Sequence, residues 1–188
     1  MNTKFLGKTL VASALVLTTL GTGLHSSYLG LDTNKVVKTA KAEENMTDGQ
    51  LWNKVKLSLI DSNIISGNGY ESVKVSYVRT DGQSSNVEST ANHDGSDISI
   101  QSNFANLKQI DIVKSNIQDL NTRIDANITW HTLTKNLLEK GLVSNGDKLT
   151  IHSKDSQDPE ITGTIGETMD KHKGYMLYKK DIDKITIN

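Results

Sequence analysis

The 188-residue sequence has no cysteine, a single proline (Pro159) and only 5% aromatic residues. Without cysteine there is no disulfide scaffold, no thiolate metal site and no cysteine nucleophile. A lipid-modified N-terminus, which would need a cysteine, is excluded as well. One proline leaves no LPxTG-like motif near the end, so covalent attachment to a cell wall is not expected. Only one apolar stretch is long enough to consider as a membrane span, which excludes a multi-span membrane protein. No long run of Lys/Arg is present, and none of the HExxH, GxSxG or GxxxxGK[ST] patterns occurs.

What is present starts with an N-terminal address. Met1 to Lys8 carries two lysines and no acid, and Thr9 to Leu24 is an uncharged apolar run broken by Gly21 and Gly23. A polar stretch then leads to Ala40-Lys41-Ala42, small residues at the −3 and −1 positions of a peptidase site. Basic, apolar, then A-x-A is the pattern of a secretory signal peptide. The apolar run is short of the ~20 residues a spanning helix needs. The expectation is a signal over 1–42, of the long form found in Gram-positive secreted proteins, and an extracellular protein with no stable membrane anchoring after cleavage. Residues 1–42 hold five of the 21 basic residues and one of the 22 acids, which leaves 16 basic and 21 acidic residues and a formal charge of −5 beyond them. Such a chain has no general electrostatic pull toward nucleic acid or anionic lipid.

The rest reads as one unit written twice. Residues 52–66 (WNKVKLSLIDSNIIS) and 130–144 (WHTLTKNLLEKGLVS) align without a gap. Trp52 matches Trp130, Leu59 matches Leu137 and Ser66 matches Ser144, and the remaining apolar positions keep the same period. In the first copy Trp52, Val55, Leu59 and Ile60 fall on one helical face. Thr47-x-x-Gln50 upstream has the form of a capping box, and Gly141 is a C-terminal break for the second helix. Each helix is followed by a Gly/Asn turn and short runs of period two. Strands are expected over 72–79, 84–91, 96–102 and 107–113, and again over 147–153, 160–168, 173–178 and 182–188. The fold class is therefore α+β: a first repeat over 43–114, a linker with a short helix over 115–127, and a second repeat over 128–188. Each repeat is a helix plus about four antiparallel strands in a small curled sheet or barrel.

Two families resemble this pattern. The second repeat, through Gly146-Asp-Lys-Leu-Thr-Ile-His, Ile161-Thr-Gly-Thr-Ile and Met176 to Ile187, resembles the Sm-like small barrels. Neither RNA-binding signature of that family is present, so RNA binding is not implied. The ending Asp181-Ile-Asp-Lys-Ile-Thr-Ile-Asn188 resembles the last strand of the β-grasp modules in secreted staphylococcal adhesins and superantigen-like proteins. That likeness implies binding to host proteins rather than catalysis, although no hairpin precedes the helix as it does in β-grasp modules.

The search for chemistry is mostly negative. His93, His131, His152 and His172 lack metal-ligand spacing. Asp155, Asp158 and Glu160 crowd one turn without the glycine or spacing of a calcium loop, and read as a solvated turn. Trp52 and Trp130, at the start of apolar stripes, read as core anchors. No catalytic residue, cofactor or metal is assigned. Tyr70, Tyr77, Tyr175 and Tyr178 are the candidate contact surface. The expectation is a secreted, non-enzymatic binding protein of two modules, directed at a host protein or cell-wall component, with no nucleic-acid partner. The alternative is a secreted hydrolase, or a hydrolase inhibitor, with a site between the repeats that draws on His131, His152 and His172.

Overall fold

The computed structural model describes residues 46–116 and 120–188; the expected signal over 1–42 lies outside them. The described residues belong to a single compact unit. Helix α1 spans Asp48–Asp61 and opens on the expected capping box. The Thr47 amide donates to Gln50 Oε1 at 2.9 Å, and the Gln50 amide donates back to Thr47 Oγ1 at 3.2 Å. Helix α2 spans Ala126–Glu139 and is capped by Asp125, whose carboxylate accepts from the Ile128 amide at 2.9 Å.

Both helices end in the same way. After α1 the chain turns left-handed at Asn63 (φ 59°), and after α2 at Gly141 (φ 71°). The Ile64 amide reaches back to the Leu59 carbonyl and the Asn63 amide to Ile60; the Leu142 amide reaches back to Leu137 and the Gly141 amide to Leu138. Both are Schellman closures, each with a buried apolar pair across the turn. Asn63 and Gly141, which occupy matching positions, are residue types that tolerate the left-handed conformation.

The strands are β1 (Glu71–Arg79), β2 (Ser84–Thr90), β3 (Phe104–Lys114), β4 (Arg123–Asp125), β5 (Lys148–Ser153), β6 (Ile161–Thr164), β7 (Met176–Tyr178) and β8 (Ile182–Ile187). Six of them form one antiparallel sheet in the order β2-β1-β3-β8-β5-β6. The first half contributes β2-β1-β3 and the second contributes β8-β5-β6, so the halves meet at β3 and β8 with Ile110 opposite Ile185. Period-two alternation sends Val73, Val75 and Tyr77 of β1, Ile110 and Ile112 of β3, Leu149 and Ile151 of β5 and Ile185 and Ile187 of β8 into one core with both helices. Trp52 and Trp130 are fully buried in that core. Their indole N–H groups are satisfied by equivalent carbonyls, Val73 at 2.8 Å and Leu149 at 3.1 Å, each on the strand that follows its helix.

Three expectations need correction. The halves do not curl into separate sheets or barrels of about four strands; each supplies three strands to a shared open sheet. Residues 96–102 are not a strand. They run as a strap across the start of α1, where the Ile100 carbonyl accepts from the Asp48 amide at 2.7 Å and the Ile98 carbonyl from the Gly49 amide at 3.1 Å. These are two of the N–H groups that a helix leaves without internal partners. Residues 115–127 hold β4 rather than a short helix among the described residues, and β4 pairs with β7 as a two-stranded ribbon beside the main sheet.

Candidate functional site

The candidate site lies where the halves meet at one end of the sheet. A pocket of about 350 Å³ is lined by Ser66, Asn68, Tyr70 and Glu71 from the turn entering β1, by Lys114, Ser115 and Asn116 leaving β3, and by Thr122, Lys179 and Lys180 from beside the β4–β7 ribbon. The antiparallel pairing of Glu71 with Lys114 brings the first two groups together. Glu71, the one acid among the described lining residues, is buried, and its carboxylate is already occupied. It accepts from the backbone amides of Ser66, Gly67 and Asn68 at 2.8–3.2 Å. Gly67 serves this turn because its φ of 77° is left-handed.

The Lys114 ammonium donates to the carbonyls of Lys179 and Ile182, so this side chain ties the end of β3 to the start of β8. Burial, partly opposed by the Glu71 charge, pulls its pKa down to about 8. Lys179 Nζ donates to Ser66 Oγ at 2.8 Å and Asn63 Oδ1 at 3.2 Å. Lys180 Nζ bonds to the Asp181 carboxylate and stands 5.3 Å from the centre of the Tyr178 ring. Each of the three ammonium groups is thus held by protein oxygens: Lys114 by two carbonyls, Lys179 by two side chains and Lys180 by a carboxylate.

A second feature is the sheet face opposite the helices. Directly paired residues form two rows, one across all six strands and one across five. One is polar and uncharged: Asn86, Ser76, Gln109, Thr186, Thr150 and Thr162. The other carries Glu88, Lys74, Asp111, Lys184 and His152, with Glu160 completing it through a 3.2 Å contact to His152 Nδ1. At ~4.8 Å between strands the rows are about 24 Å long.

The sequence-predicted residues are dispersed. Tyr70 is exposed and lines the pocket. Tyr178 flanks it through Lys180 and has Arg123 over its ring at 4.3 Å. Tyr175 is half-buried and donates to Asp158 Oδ1 at 2.8 Å. Tyr77 is not a surface residue: it is 2% exposed, and its hydroxyl donates to Asp48. Burial and that carboxylate raise its pKa to about 12. His131 bonds to the Met169 carbonyl at 3.1 Å, His152 to Thr186 Oγ1 at 2.9 Å, and His172 packs its ring on Tyr175. None of the three lines the pocket. Asp158 accepts from Ser153 Oγ as well as from Tyr175, and Asp155 accepts from the Gln157 amide, so these acids serve the turn itself. Among the described residues no three His, Asp or Glu side chains are grouped to hold a metal ion.

A family model described as a domain of unknown function, DUF4888, matches residues 47–187. The chain belongs to the DUF4888 family. The match takes in both helices, the whole six-stranded sheet and every residue that lines the pocket. No curated protein matches the chain. Among the described residues no helix is long and apolar enough to cross a membrane.

The pocket lysines were missed in the sequence because Lys114 and Lys179 stand 65 residues apart and each looks like an ordinary surface charge. The signal available was the positions themselves. Lys114 closes the alternating run of β3, and Lys179 directly follows the apolar stretch 175–178.

Proposed function

We propose that this DUF4888 protein is exported and acts by binding a protein partner, without catalysis, through the helix-free face of its sheet. The observation that carries the reading is the pair of six-residue rows. Short Ser, Thr and Asn side chains, five of the six in the first row, lose less conformational entropy on contact than long ones do, and the flanking row of alternating charge gives register to a docked surface. Export rests on the basic, apolar, A-x-A order of residues 1–42, and places the protein outside a Gram-positive-type cell, directed at a host or cell-surface protein. The matching helix ends, the matching indole bonds and the sheet order support a tandem duplication, each half contributing three strands to this face. The test is capture from host and cell-surface fractions by the wild-type chain, set beside Ser76→Arg/Thr186→Arg. Specific capture lost in the double variant, with an unchanged circular dichroism spectrum, supports the reading. Equal capture by both, or capture by neither, overturns it.

One arrangement favours a second reading, a secreted hydrolase. Thr186 Oγ1, His152 and Glu160 form a hydroxyl–imidazole–carboxylate line with contacts of 2.9 and 3.2 Å, the order used in nucleophilic triads. The neighbouring Thr150–Thr162 hydroxyl pair at 2.8 Å is a cross-strand contact of the same kind on the adjoining strands. Hydrolysis of ester or peptide substrates that disappears in His152→Ala would establish this reading instead.

A further inference from the structure

The six-stranded sheet ends in two edges, β2 and β6, and the two are built differently. β6 is four residues long, with Pro159 two residues before it and the left-handed Gly166 two residues after it. Shortness and a nearby proline keep an edge strand from pairing with another chain. β2 has neither. It runs for seven residues, Ser84-Ser-Asn-Val-Glu-Ser-Thr90, without proline or lysine, and pairs with β1 in unbroken register over its whole length. The ladder fixes which backbone groups point outward. The Arg79 amide donates to the Gln83 carbonyl and the Ala91 amide to the Glu71 carbonyl, so the odd-numbered residues of β2 bond to β1. The N–H and C=O groups of Ser84, Asn86 and Glu88, and the N–H of Thr90, therefore face away from the sheet. None of them meets a backbone partner among the described residues; the Thr90 carbonyl accepts from the His93 amide at 2.9 Å.

We infer that β2 is a dimerisation edge, where a second copy of this chain pairs antiparallel about a two-fold axis through Val87. A two-fold contact must be self-complementary, and β2 meets that condition. An axis through Val87 sets Asn86 opposite Glu88 of the second copy, Ser84 opposite its Thr90 and Ser85 opposite its Ser89. All seven residues overlap, and every outward N–H faces an outward carbonyl. Glu88, the one charge of the strand, then meets a neutral amide side chain. An axis through Glu88 would instead put two carboxylates directly opposite each other, which is destabilising. Val87, 7% exposed on the core side, meets its own copy at the close spacing of a non-hydrogen-bonded pair. The helices of both copies then lie on one side of a continuous sheet, and the rows through Asn86 and Glu88 run on from one copy into the other. The contact is one strand wide, so the dimer is weak, with a dissociation constant on the order of 100 μM. Partner binding at the helix-free face does not depend on it, because a monomer presents the same rows.

The experiment is sedimentation of the full chain from 5 μM to 1 mM, with amide hydrogen exchange read at both ends of that range. A monomer–dimer equilibrium is expected, with the Ser84, Asn86, Glu88 and Thr90 amides exchanging several-fold more slowly at 1 mM. Asn86→Pro removes an outward N–H and leaves the ladder to β1 whole. It should abolish the dimer while the inward amides of Val87 and Ser89 stay protected. Asn86→Glu sets a carboxylate against Glu88 of the second copy and should weaken the dimer at least tenfold; Asn86→Glu/Glu88→Lys should restore it. The inference is overturned by a chain that stays monomeric at 1 mM, by a dimer that survives Asn86→Pro, or by species that grow beyond the dimer. Outward amides already protected at 5 μM, which would mean that the chain covers its own edge, overturn it too, as does a double variant no tighter than Asn86→Glu.

Discussion

Replacement of Gly49 by alanine should destabilise this protein, although the change falls inside a helix. Alanine normally improves on glycine in a helix by about 0.5–1 kcal/mol. Here the added methyl carbon would stand 2.0 Å from the Gly95 carbonyl oxygen and 2.7 Å from that of Ile98. Both are backbone atoms, so relief requires the 94–102 strap to lift off the start of α1. Lifting it strands the Asp48 and Gly49 amides that Ile100 and Ile98 now satisfy. Two lost bonds cost about 1–3 kcal/mol together, and displacement of packed backbone adds about 1–3 kcal/mol. Set against the propensity gain, Gly49→Ala should lose about 1–5 kcal/mol in urea melts, with Lys135→Ala on the exposed face of α2 as a control within about 0.5 kcal/mol. Gly95→Ala, whose methyl would meet the Gly49 carbonyl oxygen at 2.8 Å, requires the same displacement. The double variant should therefore cost clearly less than the sum of the singles. A Gly49→Ala protein as stable as wild type, or strict additivity with Gly95→Ala, would refute the account of the strap.

Other outcomes follow from the same geometry. Trp52→Ala and Trp130→Ala should each cost ~3–5 kcal/mol as core truncations, measured by chemical denaturation. A methyl at Gly163 would meet the Trp130 ring at 2.7 Å and Met169 Cγ at 2.9 Å, so Gly163→Ala should cost about 1–3 kcal/mol and alter Trp130 fluorescence. At the left-handed helix ends, Gly141→Ala should lose about 1 kcal/mol, while Asn63→Gly should leave stability unchanged or raise it. Tyr77, with its folded pKa raised to about 12 from 10, holds its proton in the native state where the unfolded chain releases it. Its contribution is complete below pH 10 and is lost as pH climbs from 10 to 12. Tyr77→Phe should flatten the fall in stability over that window.

The parts of the fold legible in the sequence are those with local causes. The capping box, the apolar stripes below Trp52 and Trp130 and the period-two runs each lie within a dozen residues, and they locate α1, α2, β1, β2, β5 and β8. The strap was misread because Ile98 and Ile100 alternate as a strand would. Its carbonyls are committed to amides about fifty residues earlier, and no local pattern records that pairing. The shared sheet was hidden for the same reason: β3 and β8 pair across about 75 residues. Tyr77 is a different kind of miss, because Val73, Val75 and Tyr77 share a period-two face and the alternation itself assigned the tyrosine to the core. Of the pocket, only Tyr70 was singled out beforehand, since its cationic groups arrive from strand ends that only the shared sheet brings together.

The placement of β8 has a consequence for how the protein is made. It is the last of the six strands to leave the ribosome, yet it sits at the middle of the sheet, and the β5–β6 hairpin reaches the first half only through it. Until residues 182–187 have emerged, the earlier strands have no route to a closed sheet, and folding waits on a contact of long sequence separation. Deletion of those six residues should leave β2-β1-β3 and β5-β6 without a shared sheet, rather than a slightly shortened version of the same protein.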